Sequence, residues 1–295
     1  MQVEDRKRAV AAAISIASDL GLEVDDAVVL NDSNRLVVRL LPSDVVARVG
    51  PIAYQAVEAS YSQWDDYQTR AEVEVEVVHR VAAMDCPVAA LDPRVEPRLY
   101  VRDDFVIGMW TYFEPLPSEV RSADYADALE RLHAGLRQVD VATPHVVDRI
   151  AEAERWVASR HITPELSDAD RGLLADTMAN LRRSVVGRGA AEQLLHGEPH
   201  QWNVLNTSRG PLFFDFENCA TGPVEYDLAW VPAAVSESYP DADPELLDEC
   251  RGLVQAIIAA HFWRPDSEHP NSGPGRTEFL DGVRAGPPWP ALDGG

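Results

Sequence analysis

His196-Gly197-Glu198-Pro199-His200-Gln201-Trp202-Asn203, followed twelve residues later by Asp215 in Leu212-Phe213-Phe214-Asp215-Phe216-Glu217, is the stretch on which the reading of this chain turns. It holds a carboxylate, an amide five positions on, and a second carboxylate at the end of an apolar run. Gly197 and Pro199 oppose a helix between the first two, so that segment is expected to be an irregular loop. Val204-Leu205-Asn206 and Pro211-Leu212-Phe213-Phe214 then flank the turn residues Thr207-Ser208-Arg209-Gly210, which predicts a hairpin ending at Asp215.

Those residue types suit the transfer of a phosphoryl group. Such a reaction asks a protein mainly to hold the magnesium of a nucleotide and to aim a hydroxyl at the terminal phosphate. Magnesium takes oxygen ligands, and Asn203 and Asp215 offer an amide oxygen and a carboxylate. Glu198 is placed to accept a proton from the hydroxyl as catalytic base. Other readings compete. His196, Glu198 and His200 would suit zinc if they shared a helical face, which Gly197 and Pro199 break. A polar turn before a hairpin is the bland alternative, and a nucleotide site that has lost its chemistry is a third.

The stretch 194–231, with Leu195-His196-Gly197, Asn203-Val204-Leu205, Phe214-Asp215-Phe216-Glu217, Gly222-Pro223 and Tyr226-Asp227-Leu228-Ala229, resembles the aminoglycoside phosphotransferase and choline kinase-like family. The resemblance implies an α+β, protein kinase-like bilobal fold and phosphorylation of a small-molecule hydroxyl with ATP or GTP and Mg2+. The family pattern is His-Gly-Asp with Asn five residues after the Asp. This chain matches at His196, Gly197, Asn203 and Asp215 and departs at Glu198. One added methylene moves that carboxylate by roughly a bond length, a shift that can be costly in rate. The same departure keeps open a catalytically impaired, nucleotide-binding pseudokinase.

Upstream, Val28-Val29-Leu30, Arg35-Leu36-Val37-Val38-Arg39-Leu40 and Val45-Val46-Ala47-Arg48-Val49 are three short apolar runs split by Asn31-Asp32-Ser33-Asn34 and Pro42-Ser43-Asp44, which predicts an antiparallel meander. In the resembled family the first turn of this meander covers the phosphates and the third strand carries a basic residue that grips them. The turn here, Asn31-Asp32-Ser33-Asn34, has no glycine, which leaves Ser33 and backbone amides as phosphate contacts. The only lysine is Lys7, so Arg48 takes the basic position on the third strand. Residues 71–78 alternate like a strand, yet no Gly or Pro occurs from Ile52 to Cys86, and Val73, Val77, Val81 and Met84 fall at helical spacing. A helix is expected, and the resemblance implies that one of its glutamates braces Arg48. Counting back from Cys86-Pro87-Val88 selects Glu74, with Glu72 and Glu76 as alternatives.

Leu99-Tyr100-Val101 and Phe105-Val106-Ile107-Gly108-Met109-Trp110 predict a second hairpin and complete a five-stranded sheet. The expected organisation is a nucleotide-binding lobe over 1–112, a linker at 113–117 and a helical lobe with the substrate pocket over 118–295. The resemblance places an adenine near the linker, with Trp110 and Tyr112 as candidate contacts. Helices are expected from Tyr125, Leu129, Leu132 and Leu136, which form one apolar stripe beside His133, and at 145–159, 168–186 and through Leu246, Cys250, Leu253 and Ile257. The proline-rich end reads as largely irregular around a short helix at 276–285. Asp227 is expected to cap or brace the helix that follows it and His196 to brace its loop. Glu217, two residues past Asp215 on an expected strand, would share its side and assist metal or substrate. His200 is carried with these as a pocket-lining or supporting residue.

Lys plus Arg number 26 against 49 Asp plus Glu, a net charge of −23 that opposes a nucleic-acid or anionic-membrane partner and permits a cationic substrate such as an aminoglycoside. Cys86, Cys219 and Cys250 are too few and scattered for a disulfide framework, which suits the cytoplasm. Residues 9–17 read as part of a first amphipathic helix closing at Gly21, not as a leader segment. The expected partners are nucleotide and a small hydroxylated substrate, an antibiotic or a metabolite, with the chain acting as monomer or homodimer.

Overall fold

The computed structural model describes residues 3–32, 35–51, 67–265 and 272–293. These divide into two compact units. The first holds residues up to Glu119 with Gln138–Ala142 and Leu205–Glu217; the second holds Val120–Arg137, Thr143–Val204 and the chain from Asn218 onward.

The first unit is a five-stranded antiparallel sheet with helices. Strands β1 (Val24–Asp32), β2 (Leu36–Pro42), β3 (Val45–Pro51), β4 (Tyr100–Arg102) and β5 (Phe105–Thr111) lie in the order β1-β2-β3-β5-β4. Period-two patterning decides what each face carries. Leu36, Val38 and Leu40 of β2 and Val45, Ala47 and Val49 of β3 are fully buried in one core with Ala9, Ala12, Ala13, Ile16 and Ala17 of helix α1 (Val3–Asp19). The small alanines let the helix sit close to the sheet, and Gly21, at φ 79°, turns the chain out of it. The intervening residues, Val37 and Arg39 on β2 and Val46 and Arg48 on β3, belong to the other face. Val37 pairs with Arg48, and Arg48 with Gly108 of β5.

Residues 71–78 are helical, inside α2 (Tyr67–Ala82). Its buried face is Ala71, Glu74, Val75, Val77, Val78 and Val81. That differs from the stripe expected to end at Met84, which lies beyond the helix and is 38% exposed. After α2 the chain meets the hairpin of β7 (Val204–Thr207) and β8 (Gly210–Phe213). Phe213 donates its N–H to Pro87 O and accepts from Ala89 N, each at 2.8 Å, which fixes the end of β8 beside the α2 exit.

The second unit contains α3 (Ser122–Leu136), α4 (Val146–Ala158), α5 (Asp168–Arg188), α6 (Val224–Leu228), α7 (Ala233–Ser236), α8 (Pro244–Phe262) and α9 (Ser272–Ala285). Tyr125, Leu129, Leu132 and Leu136 are all buried, as the stripe on α3 requires. Ser167 accepts a hydrogen bond from Asp170 N at the start of α5, and Asp243 caps α8 by accepting from Glu245 N and Leu246 N. The end of the chain is more ordered than its prolines suggest, because α9 runs for 14 residues. Two short strands, β6 (Gln193–Leu195) and β9 (Ala220–Gly222), pair antiparallel among these helices. Among the described residues no helix is long and apolar enough to cross a membrane.

Candidate active site

In the first unit the face of the sheet opposite α1 carries a charged cluster. Arg48 reaches Glu74 Oε1 at 2.5 Å with one nitrogen and Asp215 Oδ1 at 2.6 Å with the other. Arg35, immediately before β2, donates to Glu74 Oε2 at 3.2 Å, lies 3.7 Å from Asp215 Oδ1 and pairs with Glu217. Glu74 is therefore held on both oxygens, and its Oε1 also accepts Phe216 N at 3.0 Å. It is 2% exposed, and Arg35 is 7% exposed. Glu74 itself, not Glu72 or Glu76, makes these bonds. Two guanidiniums thus face three carboxylates, with Glu74 and Arg35 buried and Asp215 and Glu217 29% and 24% exposed, and each buried charge has an opposite partner, without which its burial would cost several kcal/mol.

Local backbone explains how Asp215 arrives there. It sits at φ 68°, a left-handed conformation that aspartate tolerates better than most residues, between the end of β8 and a 3₁₀ turn at Phe216–Asn218. Glu217 therefore lies on that turn and not on a strand, correcting the expectation; it meets the cluster through Arg35 and not by strand parity. Arg35 had a legible signal. It shares the parity of Val37 and Arg39, hence the face of Arg48, but no resemblance pointed to it. Gly108, opposite Arg48, would bring an added Cβ within 2.8 Å of the Trp110 indole nitrogen.

Trp110 is buried, with the Arg48 guanidinium 5.4 Å from its ring centroid. The ring of Tyr112 is covered by Arg39 at 3.7 Å, and its hydroxyl donates to Glu114. Ser33 lies outside the described residues.

In the second unit, β6 delivers the loop that begins at His196. Gly197 adopts φ 95°, and a Cβ there would fall 1.9 Å from Asn218 O, so only glycine fits. Asp227 then fixes the loop. Its Oδ1 accepts Gly197 N at 2.8 Å, and its Oδ2 accepts His196 N at 2.9 Å and meets His133 Nε2 at 2.9 Å. Asp227 lies within α6 and clamps the loop that precedes it, so the expectation that it serves the following helix is corrected. His133 Nδ1 lies 2.9 Å from the Tyr239 hydroxyl, whose pKa burial first, and the Glu130 charge next, push up to about 12. Tyr125, whose hydroxyl burial and then the Asp227 charge hold far above its ordinary pKa, donates to Pro199 O.

Within the braced loop, Asn203 Nδ2 donates to Glu198 O at 3.0 Å. A carbonyl can only accept, so this bond fixes the amide orientation and leaves Oδ1 as a ligand oxygen. His196 is fully buried and its Nδ1 accepts Glu198 N at 3.4 Å. His200 packs edge-on against Trp202, and the Trp230 ring lies 6.1 Å away. The Glu198 carboxylate accepts a hydrogen bond from Arg149 Nη2 at 3.2 Å, a partner on α4 that no motif indicated.

Residues 25–252 match the model of the phosphotransferase enzyme family. No curated protein matches the sequence. Among solved structures, amicoumacin kinase hAmiN in complex with AMP-PNP, Ca2+ and Ami aligns with a TM-score of 0.68 at 10% identity, over 98% of each chain. Choline kinase LicA from Streptococcus pneumoniae gives 0.65 at 11% identity, over 93% of this chain and 99% of its own. The GDP complex of wild-type aminoglycoside 2'-phosphotransferase-IIIa gives 0.63 at 12% identity, over 94% of this chain and 98% of its own. At these identities the likeness is one of fold, the protein kinase-like fold.

Proposed function

Because this chain belongs to the phosphotransferase enzyme family and is a small-molecule kinase acting on a hydroxyl, we propose that it uses ATP or GTP with Mg2+ and that Glu198, Asn203, Asp215, Arg48 and Arg35 carry the reaction. The observation that carries the reading is the Asp227 brace, which holds Glu198 and Asn203 in one loop with the Asn203 Oδ1 left to bind. Asn203 and Asp215 offer oxygen donors of the kind magnesium accepts alongside nucleotide phosphates. When bound, the ion would screen the charge that builds on the transferring phosphoryl group.

The chain's own residues do the rest. Arg48 and Arg35, oriented by Glu74, hold phosphate charge, the guanidinium fork matching phosphate oxygens bidentately. Glu198 orients the acceptor hydroxyl and takes its proton while the hydroxyl oxygen bonds to phosphorus; the nucleoside diphosphate leaves with the electron pair of the broken O–P bond. Trp110 and Tyr112 are assigned to the adenine or guanine side, and Glu217, His200 and His196 to support of ligand and loop. The lobes are taken as 1–112 and 118–295. The net charge of −23 favours a cationic acceptor, an aminoglycoside or another antibiotic, with a small metabolite as the alternative.

Turnover should vanish in Asp215→Asn and fall by roughly 10²–10⁴-fold in Glu198→Gln, measured as nucleotide consumption against a panel of aminoglycosides, choline and sugars. Retained turnover in Asp215→Asn would sink the metal assignment. One observation favours a second reading, a protein that binds nucleotide without transfer: Glu198 stands where the family pattern has Asp. That reading predicts a magnesium-dependent thermal shift with nucleotide and no phosphorylated product from any compound.

A further inference from the structure

We propose that Arg149 is the positioning residue for the catalytic carboxylate: it holds Oε1 of Glu198 and leaves Oε2 to meet the acceptor hydroxyl. The inference rests on the reading of Glu198 as base. Arg149 Nη2 lies 3.2 Å from Glu198 Oε1, and the two side chains are 14% and 22% exposed. Among the described residues, Arg149 is the one group that hydrogen-bonds this carboxylate.

The location of Arg149 is otherwise unfavourable. It is the fourth residue of α4, in the first turn, where the helix dipole disfavours a cation. Burial opposes its charge as well. Yet its guanidinium is held above its ordinary pKa, the desolvation outweighed by the charges of Glu152, 3.7 Å away, and Glu198. A residue that violates two local rules and survives on specific partners is the mark of a functional position.

The mounting is stiff. Strand β6 runs into the Glu198 loop and pairs with β9, Leu195 against Ala220. Strand β9 in turn anchors the start of α4, since Thr221 N donates to Pro144 O at 2.8 Å. Gly222 sits so close to Val146 that an added Cβ would lie 2.7 Å from its Cγ1. His145 closes the helix end with a capping box, its Nδ1 accepting Val147 N and its N–H donating to Asp148. Arg149 and Glu198 therefore hang from one small sheet. A glutamate has one more rotatable bond than an aspartate, and Arg149 removes that freedom. The pairing thus accounts for a longer carboxylate in this loop.

Magnesium–ATP and magnesium–GTP hydrolysis, with water as acceptor, give a turnover that needs no identified substrate. Four proteins form a cycle: the parent, Arg149→Met, Glu198→Asp and the double variant. Arg149→Met is expected to lower kcat by about 10- to 100-fold, the cost of a misplaced reacting group, with the nucleotide KM within about twofold. In the Glu198→Asp background, whose shorter carboxylate cannot reach Arg149, the same substitution should cost less than about threefold. Arg149→Lys should recover part of the loss. Equal losses in both backgrounds, an unchanged kcat, or a faster Arg149→Met enzyme would each overturn the proposal, the last by making the pair a restraint. Should Arg149→Met fail to fold, Arg149→Lys with Glu198→Asp supplies the same cycle. Glu198→Gln separates the two levels. If it retains the parent kcat, the base reading fails. If it is inactive while Arg149 shows no coupling, only the positioning role fails.

Discussion

Around Glu74 five charged side chains hold one another, whereas around Asp227 one carboxylate is surrounded by two backbone N–H groups and an imidazole. The first arrangement is a set of side-chain ion pairs, in which a phosphate is proposed to take the place of a carboxylate on Arg48 or Arg35. The second is fixed by main-chain bonds and by a glycine with no room for a Cβ. On the roles proposed above, the phosphate-binding groups are thus held by charge, which a charged ligand can rearrange, and the loop bearing the proposed base by geometry, which it cannot. The division suits a reaction in which nucleotide must enter and leave while the proton acceptor stays in place.

Gly197→Ala tests the rigid half most severely. The added methyl would sit 1.9 Å from a backbone oxygen at a φ of 95°, so the loop must rebuild. The expected loss is roughly 4 kcal/mol or more, with turnover abolished and neither restored by saturating nucleotide. A thermal melt near that of the parent would show that the loop has slack and would erase the contrast.

Glu74→Gln tests the charged half. Removing that charge leaves Arg35 and Arg48 short of a partner in a buried site, for an expected loss of about 3 kcal/mol. Here the loss should respond to a ligand, because inorganic triphosphate can supply the missing negative charge. Its stabilising thermal shift should be larger for Glu74→Gln than for the parent. Equal shifts would mean that the two arginines do not bind phosphate.

The sheet, its strand order of hairpins and the helical stripes were legible because period-two and period-3.6 patterns record burial directly. Alternation along a strand needs no partner to be read: Leu36, Val38 and Leu40 declare one face and Val37 and Arg39 the other. The helix at 71–78 was legible from the absence of Gly and Pro and the helical spacing of Val77 and Val81, against alternating glutamates and valines that mimic a strand. Arg35, Arg149 and the His133–Asp227–Tyr239 chain were not legible as a group. Each joins residues 39 to 106 positions apart, and ion pairs across such distances leave no periodic trace in one sequence. Asp227 reads as structural in the sequence but points to the wrong neighbour, because a carboxylate in a helix reads locally as a cap. Arg149 did leave a trace, a cation in the first turn of a helix, which becomes interpretable only once its carboxylates are in view.

The smallest effect concerns acid. In the first unit Asp92 is buried, and against the desolvation that would raise its pKa the Arg94 side chain and backbone N–H hold its carboxyl below the usual range. Arg94 also reaches Ser43 O, so the pair ties the β2–β3 turn to the segment before β4. A folded-state pKa below the unfolded value means that the stabilisation is complete above the unfolded pKa of about 4 and disappears as pH falls through the folded one. Asp92→Asn should therefore cost about 1 kcal/mol at pH 7, discounted because Arg94 is half exposed, and the difference from the parent should shrink below about pH 4. Denaturant titrations at pH 7 and about pH 3.5 measure it. A difference that stays constant across that range would assign the contribution of Asp92 to shape and neutral hydrogen bonding, and the first unit would then owe less to charge than its ion pairs suggest.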